Sequence, residues 1–405
     1  MAGVLGFRVL RPLTFDNLQK LVITDAIPFV YQRQCPACAD RDLAVLAILC
    51  EGDGKKKIRV GYCPGCGYAG YIDRPTGEWI ADFYSSGMWD KTRGQGEEKS
   101  KRRITEVSRG HFGKKNDTVR MIETIDVDRR QPVLEIGCGY GESLGQLKHM
   151  GFERLVGIEH SPRRADVAGS MGTAEVLTGA FEAPAIQRSL ESRAPFSLIF
   201  SHHTLEHVYD PAEFVAHAGR LQREGDYLVL SVPNVIGESS MAILTFLPHL
   251  HSFSHAGLSQ LLERSGYKVI DSSLTSTRIL NMVARKNPGR SHPFPAAESD
   301  IGIKMREKIS RGLGFDGSQL QSPLRRLWWY KKEDIGGQIV YFANPFLEAL
   351  HYAVASRIIA RRFKDIVPNQ ELLSLEITDL DRKVMPGDTA PFLIQFDGPL
   401  FLLYK

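Results

Sequence analysis

Three glycines spaced by two, Gly137, Gly139 and Gly141, follow a short aliphatic run in VLEIGCGYGESL, and Glu135 stands two residues before the first of them. Such a turn carries no Cβ atoms to hold a ligand off the backbone, and the helix that opens after it offers unpaired amide donors. A dinucleotide loop would space its glycines G-x-G-x-x-G behind an apolar strand. Here an acid enters the loop, placed to meet a cation rather than a pyrophosphate. Further along, GIEHS sets Glu159 at a strand end, where its carboxylate can accept from both hydroxyls of a ribose, with His160 beside it. A glycine loop without phosphate ligands and a ribose acid together describe an adenosine carrying a charged amino-acid tail. Taken singly, the glycines could be an ordinary tight turn and Glu159 a solvated strand end; the joint order and spacing favour the ligand. Cys138, inside the loop, reads as a small packing residue whose backbone belongs to the site.

A second group is dense in side chains that exchange protons near neutral pH: His202, His203, Glu206 and His207 in SHHTLEHVYD. Downstream, PHLHSFSHAGL holds His249, His251 and His255. His251 is expected to face substrate, and His255 to open a helix capped by Ser254. These three lack a carboxylate close in sequence, so substrate contact or a structural use is favoured over a metal. For Glu206 and His207 a second reading stands beside proton transfer: they could cap or orient the helix that opens near Asp210-Pro211.

The third group is C-P-A-C at Cys35 and Cys38 and C-P-G-C-G at Cys63 and Cys66, four of the six cysteines. Each pair forms a knuckle that turns two thiolates toward one point, and two knuckles complete a tetrahedral zinc site. All four ligands come from protein, which makes the site structural. A redox dithiol needs one active pair, and two matched pairs argue against it. Cys50 lies outside both knuckles and is expected to be buried. Lys55, Lys56 and Lys57 in EGDGKKK read as a solvated hairpin turn.

The elements that must hold these groups follow from an alternation of apolar runs and amphipathic stretches, the pattern of β-α-β units around a largely parallel sheet. Strands are predicted at 132–136, 154–159, 174–178, 196–201, 226–232 and 267–272. A last strand is placed at 278–283 in preference to 400–403. Of the 405 residues, 43% are hydrophobic, enough for more than one folded unit. The division expected is a leader at 1–30, a zinc ribbon at 31–90, an exposed linker at 91–109 marked by DKTRGQGEEKSKRR, an α/β domain at 110–287, and a C-terminal α+β accessory region at 288–405. The WWYKK segment there is suited to stacking on a sugar or to closing a core, and FLIQFDGPLFLLYK reads as a hairpin. Basic and acidic residues nearly cancel, 51 against 47, so nucleic acid is not expected as the main partner. No apolar run reaches the roughly 20 residues of a membrane span, and Arg8 and Arg11 interrupt what a signal peptide would keep apolar, so a cytoplasmic protein is expected.

The run E-I-G-C-G-Y-G followed by G-I-E resembles motif I and the acidic loop of class I S-adenosylmethionine-dependent methyltransferases. The likeness extends through FSLIFSHHTLEHVYDP, GDYLVLSVPN and HLHSFSHAGLSQLLERSGY, over roughly residues 110–287. It implies a doubly wound, Rossmann-like sheet, with S-adenosylmethionine held by Glu135, Gly137, Cys138, Gly139, Gly141, Glu159, His160, Phe181 and His202. Many relatives place an Asp after the third strand for the adenine amino group. This chain has Ala180 there, which leaves Phe181 to stack on the base and Glu182 as a possible acceptor. In similar sugar C-methyltransferases a Glu-His pair abstracts a proton, and Glu206 and His207 occupy the matching place. The stretch YIDRPTGEWIADFYSSGMWD is similar to the segment after the zinc region in methyltransferases of deoxysugar and surface-polysaccharide pathways. The acceptor implied is a small molecule, best a nucleotide-linked sugar. Methylation of a quinone or secondary metabolite, modification of nucleic acid, and a non-catalytic scaffold are the alternatives.

Overall fold

The computed structural model describes residues 27–51, 57–86, 97–235, 237, 247–276 and 278–287, together with Lys304 and the backbone of seven short strands elsewhere. Its central sheet has seven strands: β1 Pro132–Ile136, β2 Arg154–Glu159, β3 Glu175–Thr178, β4 Leu198–His202, β5 Tyr227–Pro233, β6 Tyr267–Asp271 and β7 Ile279–Lys286. They lie in the order β3-β2-β1-β4-β5-β7-β6. Pairings from β3 to β5 are parallel, and β7 runs antiparallel to both β5 and β6. Every residue of β1 is buried, as expected of a strand covered by helices on both faces. The last strand is therefore β7, close to the 278–283 expected; Phe401–Leu403 pairs with Leu21–Ile23 instead.

Local signals start the helices. They are α1 Gly77–Ser85, α2 Glu97–Ser108, α3 Asp117–Thr124, α4 Glu142–His149, α5 Pro162–Ser170, α6 Pro184–Glu191, α7 Pro211–Arg220 and α8 His255–Arg264. Asp210 accepts from the amides of Ala212 and Glu213, so it, not Glu206, caps α7, and Pro211 fits the first turn where no donor is needed. Ser254 caps α8 by accepting from Gly257, as the sequence indicates.

Three antiparallel strands, Ala44–Glu51, Lys57–Tyr62 and Ala69–Tyr71, form the body of the cysteine-bearing unit. Its sheet extends at both edges: His251–Ser252 pairs with Ala69 and Gly70, and Phe392–Phe396 lies parallel to Ala44–Glu51. The expected hairpin at the C-terminus is thus corrected. Its two runs join different sheets, because an open strand edge in the cysteine-bearing unit offers the first of them a full ladder of backbone partners. The expected exposed linker is also corrected, since α2 covers Glu97–Ser108. Its charges pair on the solvent side, Arg102 with Glu106, while Val107 packs with Phe112 and Tyr140. Lys55 and Lys56, the 288–300 stretch and the side chains of Cys50 and of the WWYKK segment lie outside the described residues.

One core runs through both units. Cys35, Leu43, Tyr68 and Ile72 pack in the same cluster as Leu134, Ile158, Phe214 and Leu230 of the central sheet and its helices. Among the described residues no helix is long and apolar enough to cross a membrane.

Candidate functional site

The strand order reverses between β1 and β4, and in such sheets the ligand crevice opens beyond the carboxyl ends of the strands there. A cavity of about 770 Å³ lies at this place, lined by the loops after β1, β2, β3 and β4 and by α1. It gathers Glu135, Gly137, Cys138, Gly139, Glu159, His160, Phe181, His202, Glu206 and His207, nearly all the residues singled out from sequence.

Gly137, Gly139 and Gly141 all hold positive φ, 79°, 57° and 81°. A Cβ on Gly137 would fall 2.2 Å from Thr204 Oγ1 and one on Gly141 2.5 Å from Met171 Cε, so these two are glycines for backbone and packing. Gly139 faces open space, where a Cβ would meet nothing. Its amide donates to Glu159 Oε2 at 2.8 Å, and Ser161 donates to Oε1 at 2.9 Å, which fixes the Glu159 carboxylate against the glycine loop. Glu206 Oε2 has no hydrogen-bond partner, and the same holds for one oxygen of two other carboxylates in the cavity, Oε2 of the buried Glu135 and Oε1 of the half-buried Glu182. Burial pushes Glu135 and Glu182 above the usual carboxylate range, Glu135 strongly, with Glu142 and Glu159 adding to its shift. Cys138 is buried, and burial raises its thiol as well, in keeping with a packing role. Phe181 is buried edge-on to Phe214.

The opposite wall gathers ionisable side chains. Glu206 is fully buried, with Oε1 3.1 Å from His203 Nδ1, 3.7 Å from His207 Nε2 and 4.0 Å from His249 Nε2. Burial alone would raise its carboxyl, but His207, His203 and His249 outweigh it and hold the group down to about 2. His207 Nδ1 lies 2.8 Å from the Pro248 carbonyl and 3.0 Å from Tyr84 Oη. A carbonyl only accepts, so Nδ1 carries the hydrogen and Nε2 is the basic atom. One ligand atom each from Glu206, His207 and His249 lie within 4.8 Å of one another, close enough to share a proton or to hold a metal ion, and His203 Nδ1 meets the same carboxylate oxygen. His203 holds φ 53°, a conformation costing a β-carbon residue of order 1–3 kcal/mol and typical of functional loops. His202 Nδ1 meets Thr118 Oγ1 at 2.8 Å, and Thr118 in turn donates to Ser231 at 2.6 Å. Burial, with His203 nearby, holds His202 down to about 4, so it faces the cavity as a neutral base or acceptor.

Two expectations change here. His251 does not face substrate: it is 1% exposed, with Nδ1 2.7 Å from Tyr68 Oη and Nε2 2.9 Å from the Val208 carbonyl. The short strand His251–Ser252 pairs with Ala69 and Gly70 and turns His251 toward the cysteine-bearing unit, while His249, in the irregular chain before that strand, lines the cavity. Nor do these histidines lack a carboxylate, since the fold brings Glu206 to His249. Tyr84 was not foreseen as part of the site; the only sequence signal is its place one residue after the buried Phe83 on α1, which turns it along the flank of the apolar stripe.

Away from the cavity, Cys35, Cys38, Cys63 and Cys66 are buried, and their sulfurs lie within 4.8 Å of one another. The Cys35–Cys66 and Cys38–Cys63 separations are both 3.6 Å, near the edge of about 3.8 Å expected for a tetrahedron of sulfurs around zinc.

Comparison with known proteins adds the following. Residues 112–272 match a family described as Methyltransferase domain. Over 142 residues the chain is 29% identical to a "Probable S-adenosylmethionine-dependent methyltransferase" of Mycolicibacterium smegmatis, covering 34% of this chain and 52% of that protein. The chain thus spans about half the length of that curated relative. Among solved structures, a magnesium protoporphyrin IX methyltransferase of Synechocystis with bound SAH shares 15% identity, covers 52% of this chain and 99% of its own, and has a TM-score of 0.37. An S-adenosylmethionine-dependent methyltransferase of Aquifex aeolicus shares 18% identity over 42% of this chain and 89% of its own, with a TM-score of 0.34. Scores this low add no weight to the topology read from the strands themselves.

Proposed function

We propose that this chain, whose residues 112–272 match a methyltransferase domain, transfers a methyl group from S-adenosylmethionine to a small polar acceptor, and that its four paired cysteines hold a structural zinc ion. The observation that carries the reading is the meeting in one cavity of an open glycine loop, a ribose acid, an unpartnered buried acid and a carboxylate ringed by imidazoles. The residues fit the cofactor. Gly139 leaves room against the backbone, Glu135 Oε2 is a buried acceptor awaiting a cation, and Glu182 Oε1 awaits a donor such as an adenine amino group.

In this reading Glu135 takes the amino group of the methionine tail, Glu159 the ribose hydroxyls, and Phe181 a face of the base. When bound, the sulfonium supplies a methyl group ready for in-line displacement. The protein's part is to align the acceptor and remove its proton. His207 Nε2 receives that proton, and the charge it gains lies 3.7 Å from Glu206 Oε1, which stabilises it. Helix α1, with Ile80 and Tyr84 on the cavity wall, keeps water from the reacting atoms. A nucleotide-linked sugar or surface-polysaccharide precursor is the acceptor class we favour, supported by the likeness of residues 71–90 to deoxysugar-pathway enzymes and by the carboxylates and imidazoles among the residues that line the cavity.

Calorimetric titration of S-adenosylmethionine and its demethylated product, S-adenosylhomocysteine, into the zinc-loaded chain tests this reading. Saturable binding that disappears in Gly139→Arg supports it and opens a screen of nucleotide sugars. Absence of binding to the unaltered chain would overturn it in favour of a scaffold.

A further inference from the structure

We infer that the cysteine-bearing unit positions the proton-handling loop after β4, and that Tyr68 and His251 are the positioning residues through which it does so. The inference rests on the reading of Glu206 and His207 as the proton-handling pair.

Tyr68 follows the second knuckle directly, two residues after Cys66, and is buried. Because the Val208 carbonyl only accepts, His251 Nε2 carries the hydrogen in the 2.9 Å contact, and Nδ1 accepts from Tyr68 O–H at 2.7 Å. The backbone amide of His251 also donates to the Glu206 carbonyl at 3.2 Å. One residue therefore grips Glu206 and Val208, on either side of His207. The strand that carries it is an edge strand of the cysteine-bearing sheet, with His251 opposite Gly70. The fit there is tight: a Cβ on Gly70 would fall 2.3 Å from Tyr68 Oη and 2.6 Å from the Leu250 carbonyl.

Further ties reach the same neighbourhood. Arg74 donates to the Tyr209 carbonyl at 2.9 Å, its guanidinium 4.1 Å above the Tyr209 ring. Ser254 donates to the Cys66 carbonyl, inside the knuckle itself. The held loop is irregular and includes the left-handed His203, so it lacks the ladder of a strand or helix to keep its shape. The glycine loop after β1, by contrast, is anchored within the central sheet by Gly137 and Cys138 donating to Ile158. Releasing the knuckle should loosen residues 203–210 and leave residues 137–141 in place.

Hydrogen–deuterium exchange on the full-length zinc-loaded chain, with S-adenosylhomocysteine titration alongside, tests this. Tyr68→Phe and chelator-stripped protein should both raise amide exchange in 203–210 about tenfold or more, with 137–141 and S-adenosylhomocysteine affinity within about twofold of the parent. The nitrogen-15 signal of the His207 ring should shift in step. His251→Gln, whose amide still reaches Val208, should stay nearer the parent than His251→Asn, which cannot reach it. Exchange in 203–210 that is unchanged in Tyr68→Phe, or that rises equally in 137–141, would overturn the inference. Failure of the parent chain to bind S-adenosylhomocysteine would instead sink the methyltransferase reading, and the exchange comparison would still stand.

Discussion

At the residue scale, the site turns on a carboxylate that stays charged although no water reaches it. Glu206 owes this to His207, His203 and His249, whose charges outweigh the cost of its burial. Glu206→Gln keeps the shape and removes the charge. Methylation of an acceptor found by the nucleotide-sugar screen should then fall by about 100-fold or more, the range of a lost acid–base partner, while calorimetry finds cofactor affinity unchanged. Glu135→Gln should do the reverse. Removing the acid that meets the ammonium group costs about 1.5–3 kcal/mol of cofactor binding, roughly 10- to 100-fold in Kd by the same titration. The types and order of these residues were legible in sequence, because spacing along a glycine loop is a local property. That His249 and not His251 reaches the cavity was not legible, because residues two apart would share a face of a strand, and it is the pairing of His251–Ser252 with Ala69 and Gly70 that ends the strand between them.

At the scale of elements, short signals decide where each wall of the cavity begins. Asp210 ends the loop that carries Glu206 and His207 by capping α7. Asp210→Ala should cost about 0.5–2 kcal/mol, read as a lower midpoint in thermal unfolding, with cofactor affinity little changed because the cap lies outside the glycine loop. The strands of the central sheet were legible to within about three residues because buried aliphatic runs bounded by turns have few other readings. The helix α2 was hidden by its charge. Glu97–Ser108 carries a stripe of only Ile104 and Val107 toward the core, too narrow to distinguish from a polar linker until Phe112 and Tyr140 are seen against it.

For the whole molecule, the α/β and cysteine-bearing units share a core, and two histidines, the half-buried His202 and the buried His251, tie its stability to pH. Burial holds His202 at about 4 and His251 at about 3, against an ordinary 6.5. Below that ordinary value the unfolded chain binds a proton at each while the folded chain does not, so stability falls as pH drops from 6.5 toward 4 and 3. Each contributes about 1.4 kcal/mol per pH unit across its window. Urea unfolding at several pH values should show this slope, and His251→Gln should remove about half of it. Glu206 acts lower: held at about 2 against 4.5, its contribution is present above 4.5 and lost as pH falls through 2. The amino-acid sequence by itself determined the glycine loop, the knuckles and the alternation of strands and helices, since each is written in neighbouring residues. Only the tertiary structure decided that the two units are joined through His251–Ser252, that Phe392–Phe396 completes the sheet of the cysteine-bearing unit, and that Tyr84 and His249 face Glu206. Those contacts pair residues distant in the chain, and what selects them is the burial of complementary surfaces, which no local pattern records.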